Sequence, residues 1–179
     1  MKLFRSTGVL LLAVFALAAC DDDDTTGVEI ADLAGFWNAT QFEYSDGLLA
    51  LDAISIGGGT VTLDVQSDGA FDGSIRVPGL TVDDQGQTTT VPISGTLSVS
   101  GNTLSVDFDA QTLNLLCEDP ANPDTCLFSS FDATFTLDGD VLTFVNDDTT
   151  FDFPDSIEES VLGGARGPVD ATLTATFER

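Results

Sequence analysis

From Gly35 onward the apolar positions recur every second residue. Val61, Leu63 and Val65 alternate with Thr60, Thr62 and Asp64. Phe71, Ile75 and Val77 continue the rhythm, with Gly73 at the missing position. Val91, Ile93, Leu97 and Val99 follow, then Leu104, Val106 and Phe108. Later runs carry Phe131, Ala133, Phe135 and Leu137, then Leu142 and Phe144, and finally Val169, Ala171, Leu173, Ala175 and Phe177. Thr, Ser and Asp hold most of the intervening positions. One dry and one wet face per strand predicts antiparallel sheet. Ser67-Asp68-Gly69, Ser100-Gly101-Asn102 and Asp138-Gly139-Asp140 separate consecutive runs, and Asp, Asn and Gly suit tight hairpins. About eight strands joined mainly by short turns predict an all-β, up-and-down barrel. Two segments read as short helical turns. Gly47–Ile54 carries Leu48, Leu49, Leu51 and Ile54, and Asp155–Glu158 looks like a capped start with a stop at Gly163-Gly164.

The first residues have a different pattern. Lys2 and Arg5 precede the apolar run Val9–Ala18, which spans about 15 Å as a helix and is half a hydrocarbon core. That is the layout of an export signal. Leu17-Ala18-Ala19-Cys20 resembles the lipobox of bacterial lipoproteins. The resemblance implies cleavage after residue 19 and lipid on the Cys20 sulfur, a stable membrane anchor. Residues 1–19 are therefore expected as the signal, 20–29 as an acidic tether and 30–179 as the barrel domain. Asp21 to Asp24 repel one another and favour an extended, solvated spacer. The expected location is the bacterial cell envelope, with the outer membrane or cell surface ahead of the inner membrane. Acidic residues after such a cysteine resemble a retention signal in some bacteria and a surface-export signal in others.

Charge narrows the chemistry. The 179 residues hold 30 carboxylates against five Lys and Arg, with no His. Beyond the leader the only cations are Arg76, Arg166 and Arg179. Nucleic-acid binding lacks the cations it needs. Histidine-based catalysis, His-ligated zinc and lysine Schiff-base chemistry are excluded beyond the leader. The acidic clusters, Asp119 with Asp124, Asp138 with Asp140, and Asn146-Asp147-Asp148 through Asp152, Asp155, Glu158 and Glu159, have hard oxygen ligands but no recognisable calcium-loop spacing, so they read as a solvated face with no metal site. Cys117 and Cys126 flank a turn-rich, Pro-containing stretch of an exported chain, so a structural disulfide is expected. No basic neighbour lowers either thiol pKa, and no catalytic residue, enzymatic activity or cofactor is expected.

Ile30-Ala31-Asp32-Leu33-Ala34-Gly35-Phe36-Trp37 carries Gly-x-Trp ahead of a strand ending near Tyr44. This resembles the opening of lipocalin-like domains, as found in uncharacterised bacterial lipoproteins. Asp68-Gly-Ala-Phe71, Ser94-Gly-Thr-Leu97 and Ala171-Thr-Leu-Thr-Ala175 follow in matching order. The resemblance covers most of residues 30–179, without a long C-terminal helix. It implies that Gly35 opens the first barrel strand and that Trp37 closes one barrel end. An arginine stacked on that Trp is implied too, with Arg179 at the end of the last strand as its candidate. It further implies non-enzymatic binding of a small or apolar ligand inside the barrel. The alternatives are an acidic module capturing a cationic protein, such as a basic hydrolase, and a structural surface lipoprotein. Eleven of the thirteen phenylalanines lie beyond the leader, enough to fill a small barrel.

Overall fold

The computed structural model describes residues 27–55, 58–78, 81, 87–117, 129–151, 158, 161–164 and 167–179. A 3-10 turn, Ile30–Leu33, leads into β1, Gly35–Ser45. The other strands are β2 (Ala50–Asp52), β3 (Thr60–Val65), β4 (Ala70–Arg76), β5 (Val91–Ser100), β6 (Thr103–Phe108), β7 (Phe131–Asp138), β8 (Val141–Phe151) and β9 (Val169–Glu178). Helix α1, Ala110–Leu116, lies between β6 and β7.

Every strand pairs antiparallel with its neighbour in the order β2-β1-β3-β4-β5-β6-β7-β8-β9, and β1 also pairs with β9. That last pairing runs from Asn38–Glu178 to Ser45–Thr172 and closes the sheet into an eight-stranded barrel. Closure removes the exposed edges that an open sheet would present. β2 stands outside the count, adding three residues along the edge of β1 that β3 leaves uncovered. Bulges between Ala39 and Gln41 on β1, and between Asn146 and Thr149 on β8, supply the bends that closure requires. At Gly95 a Cβ would meet the Phe71 ring at 2.9 Å, so glycine there lets the ring lie against the β5 backbone.

The period-two residues turn inward. Val61, Leu63, Val65, Phe71, Ile75, Ile93 and Leu97 are buried on one side of the barrel. Ala133, Phe135, Leu142, Phe144, Leu173, Ala175 and Phe177 are buried on the other, while Thr136 is exposed. These side chains form one continuous core, the main favourable term in the fold.

The helical turns expected over Gly47–Ile54 are absent. The Asp46 carboxylate accepts the Leu48 and Leu49 amides at 2.8 and 2.7 Å, which fixes a turn. Leu49, Leu51 and Ala53 are then buried at every second residue, which is strand periodicity. Leu48 is the displaced member, 69% exposed. Helix α1 was not expected. Asp109 caps it, its carboxylate accepting the Thr112 amide at 2.7 Å. Within the second expected helical segment, Glu158, Val161 and Leu162 are helical and Gly163 has φ of 82°. Residues 152–157 and 159–160 lie outside the described residues.

The two barrel ends differ. At one, β3–β4, β5–β6 and β7–β8 are joined by tight hairpins, beside the start of β1 and the end of β9. At the other, the long connections 77–90, 109–130 and 152–168 leave the strands.

Candidate functional site

The tight-hairpin end is sealed by Trp37 and Arg179. Trp37 is fully buried, and its indole N–H donates to the Leu33 carbonyl at 2.7 Å, tying the 3-10 turn across the end. The Arg179 guanidinium lies over the indole, 4.4 Å from the ring centroid. It donates to the carbonyls of Asp32 and Ala34, both at 3.1 Å, and of Gly139 at 3.0 Å. Its Nε is 3.2 Å from an Asp140 carboxylate oxygen. One side chain thus joins the 3-10 turn, the β7–β8 hairpin and Trp37. Gly35 makes room for it. Its φ is +138°, and a Cβ there would meet the Arg179 side chain at 3.2 Å.

Above this seal lies a cavity of about 40 Å³. Every side chain lining it is apolar, among them Phe42, Leu104, Phe108, Phe131, Phe144 and Phe177. Aromatic contacts frame it: Phe144 stacks on Phe177 at 5.8 Å, and Phe71 meets Phe108 edge-on at 5.9 Å. Towards the end of the long connections, Tyr44 stacks on Phe151 at 4.0 Å, and burial pushes its phenol well above the ordinary tyrosine range.

Of the residues lining the cavity, Phe108 and Phe131, where β6 and β7 part, are the two not fully buried. Pairing of these strands runs from Thr103–Thr134 to Val106–Phe131 and stops there. Phe108 lies beyond the last pair, and its amide donates to Ser130 Oγ at 3.1 Å. Phe108 and Phe131 both line the cavity and are only half-buried. Asp107, Asp109 and Asp132 flank them, all exposed. Hydrogen bonds from the Ser94 hydroxyl and the Thr112 amide hold the Asp109 carboxyl below its ordinary range. This seam was not visible as a site in the sequence. Asp109 beside Phe108 and Asp132 beside Phe131 are its traces there, 22 residues apart at their nearest.

Of the other residues singled out by sequence, Cys20, Asp119, Asp124 and Cys126 lie outside the described residues. Cys117 is the C-cap of α1, with its amide on the Leu113 carbonyl at 2.9 Å, and it packs against the core. The Asn146–Asp148 cluster builds the β8 bulge. Asn146 is buried with its Oδ1 accepting the Asp148 amide at 2.9 Å, and Asp147 accepts the Thr172 hydroxyl at 3.1 Å. Among the described residues, no three acidic or Cys side chains converge as a metal cage.

No protein-family description matches the chain, and no curated protein matches it. Among solved structures it is similar to a lipocalin-like protein from Bacteroides uniformis ATCC 8492. That match has 20% identity and a TM-score of 0.42, and covers 83% of this chain and 98% of the other. A second similar structure is an uncharacterized protein from Bacteroides eggerthii DSM 20697. Here identity is 9% and the TM-score 0.43, with 82% of this chain and 98% of the other covered.

Proposed function

We propose that this chain is a lipid-anchored, non-enzymatic envelope protein whose barrel binds a small apolar group. The observation that supports the reading is the cavity, buried at the barrel centre and lined only by apolar side chains. Its size bounds the ligand. Pockets for drug-sized molecules run to roughly 300–1,000 Å³, and this one is about 40 Å³. The ligand is therefore a few atoms across, or inserts only a short apolar end. Release of poorly hydrated space and burial of the ligand's hydrocarbon provide the affinity.

The tether supplies the geometry of presentation. Residues 20–27 reach at most about 30 Å when extended. They join the barrel through Val28, beside the sealed end. A lipid on Cys20 would hold that end towards the membrane and turn the long connections away from it.

Binding is tested by thermal unfolding with hexanol. The midpoint should rise and saturate with hexanol, and Ile93→Phe, which fills the cavity, should abolish the rise. An unchanged midpoint with wild type refutes the reading. Anchoring is tested separately: wild type should fractionate with membranes, and Cys20→Ser should not.

A second reading, a module that captures a partner protein, is favoured by one apolar surface feature, and the net charge of −25 would draw a cationic partner. Leu48, Leu115, Val161 and Leu162 are exposed large apolar side chains, and all lie on connections at the barrel end opposite the Trp37–Arg179 seal.

A further inference from the structure

We infer that the ligand of the cavity is an organic cation, an alkylammonium or quaternary ammonium compound with a short apolar body. The inference rests on the reading of the barrel as a binding cavity and adds the charge of what it takes. Three observations carry it. The cavity lining is apolar throughout, so a charged head placed against it would lose its hydration without any polar partner. The head must therefore stay at the surface while the apolar body enters. The seam where β6 and β7 part is aromatic, with Phe108 and Phe131 half-buried and both lining the cavity. Aromatic faces attract ammonium groups and have no such attraction for carboxylates. Finally, Asp107 and Asp132 lie exposed on the outer face beside that seam, where Asp132 accepts the Ser105 hydroxyl, and the exposed Asp109 carboxylate accepts from Ser94 and Thr112 at the start of α1.

The described arginines do not offset these carboxylates. Arg179 is committed to the opposite end, and Arg76 donates to the Gly58 carbonyl at 2.8 Å near the end of β4. A carboxylate ligand such as a fatty acid meets like charge at the seam, within the field of 30 acidic residues. An ammonium ligand meets opposite charge and two rings. The body sets the size that enters, and the head sets which molecules are retained.

The test is isothermal titration of the purified, detergent-free chain with three ligands sharing one body: hexyltrimethylammonium, hexanol and hexanoate. At low ionic strength the cation should bind about tenfold tighter than the alcohol, one per chain, and hexanoate more weakly than either. Added salt should narrow that gap. The double substitution Asp109→Asn and Asp132→Asn should narrow it as well, since asparagine removes the charge at nearly the same size; its oxygen can still accept the Thr112 amide, and the Ser94 hydroxyl must turn to accept from its NH2. Equal affinity for cation and alcohol overturns the inference and leaves the cavity reading standing. No binding of any of the three overturns both. Cation binding that fails to saturate, or is undiminished in Ile93→Phe, means ion pairing with the acidic surface only and also overturns the inference.

Discussion

Replacing Arg179 by alanine removes the one side chain that fastens three separate parts of the sealed end. Three carbonyls lose a charged donor, those of Asp32, Ala34 and Gly139. Trp37 loses the guanidinium stacked 4.4 Å from its ring centroid. Stacking of this kind contributes about 1 kcal/mol, and a partly exposed charge-assisted hydrogen bond about as much. The terms share one side chain and are not additive, so the expected loss is about 3 kcal/mol. The Asp140 pair adds little, because that carboxylate is 80% exposed and solvent screens it. For a domain of this size each kcal/mol moves the thermal midpoint by roughly 2–4 °C, which gives a fall of about 6–12 °C. Lysine at 179 should recover only part of this, since a single ammonium cannot serve three carbonyls and stack at once. Trp37 fluorescence during heat or urea unfolding reports the change at the site itself. The reasoning fails if Arg179→Ala stays within about 1 kcal/mol of wild type. It fails equally if Asp140→Ala costs as much as Arg179→Ala.

Phe135→Ala and Phe177→Ala, each opening a hole in the buried core, should cost roughly 3–5 kcal/mol in urea unfolding, against ~0.5 kcal/mol or less for the exposed Thr136→Ala. Equal losses at Phe135 and Thr136 would contradict the single-barrel packing. Tyr44 is the chain's one tyrosine and its folded phenol is raised, so the fold holds a proton that the unfolded chain releases near pH 10. Its contribution is complete below that pH and is lost as pH rises further. Phenolate absorbance should therefore appear together with unfolding, and ionisation of an intact barrel would refute this. We propose a bridge between Cys117 and Cys126: neither residue should give a reactive thiol in the unfolded, unreduced chain, and reduction should cost no more than a few kcal/mol.

The strands were legible because each needs only a local rule. Val61-Thr62-Leu63-Asp64-Val65 states its two faces within five residues, and Asp138-Gly139-Asp140 supplies the turn where Gly139 adopts φ of 60°. Gly47–Ile54 misled because so short an apolar run fits a helix or a strand. What decided it was the Asp46 side chain and the free edge of β1. Helix α1 was hidden because seven residues give no clear period, and its cap partner is Thr112 where a capping box would have Glu or Gln. Arg179 could be nominated only through the family resemblance. Its contact with Asp32 spans 147 residues, a distance no local pattern encodes. The cavity is a property of how side chains from eight strands pack together, and the Phe count alone was compatible with a full barrel.

The most direct measurement of the central claim is a crystal structure of the chain grown with hexanol. The account predicts density for the alkyl end of hexanol inside the barrel, against Phe42, Leu104, Phe144 and Phe177, with the Trp37–Arg179 seal unmoved. An empty interior, with hexanol bound only on the outer surface, would contradict it.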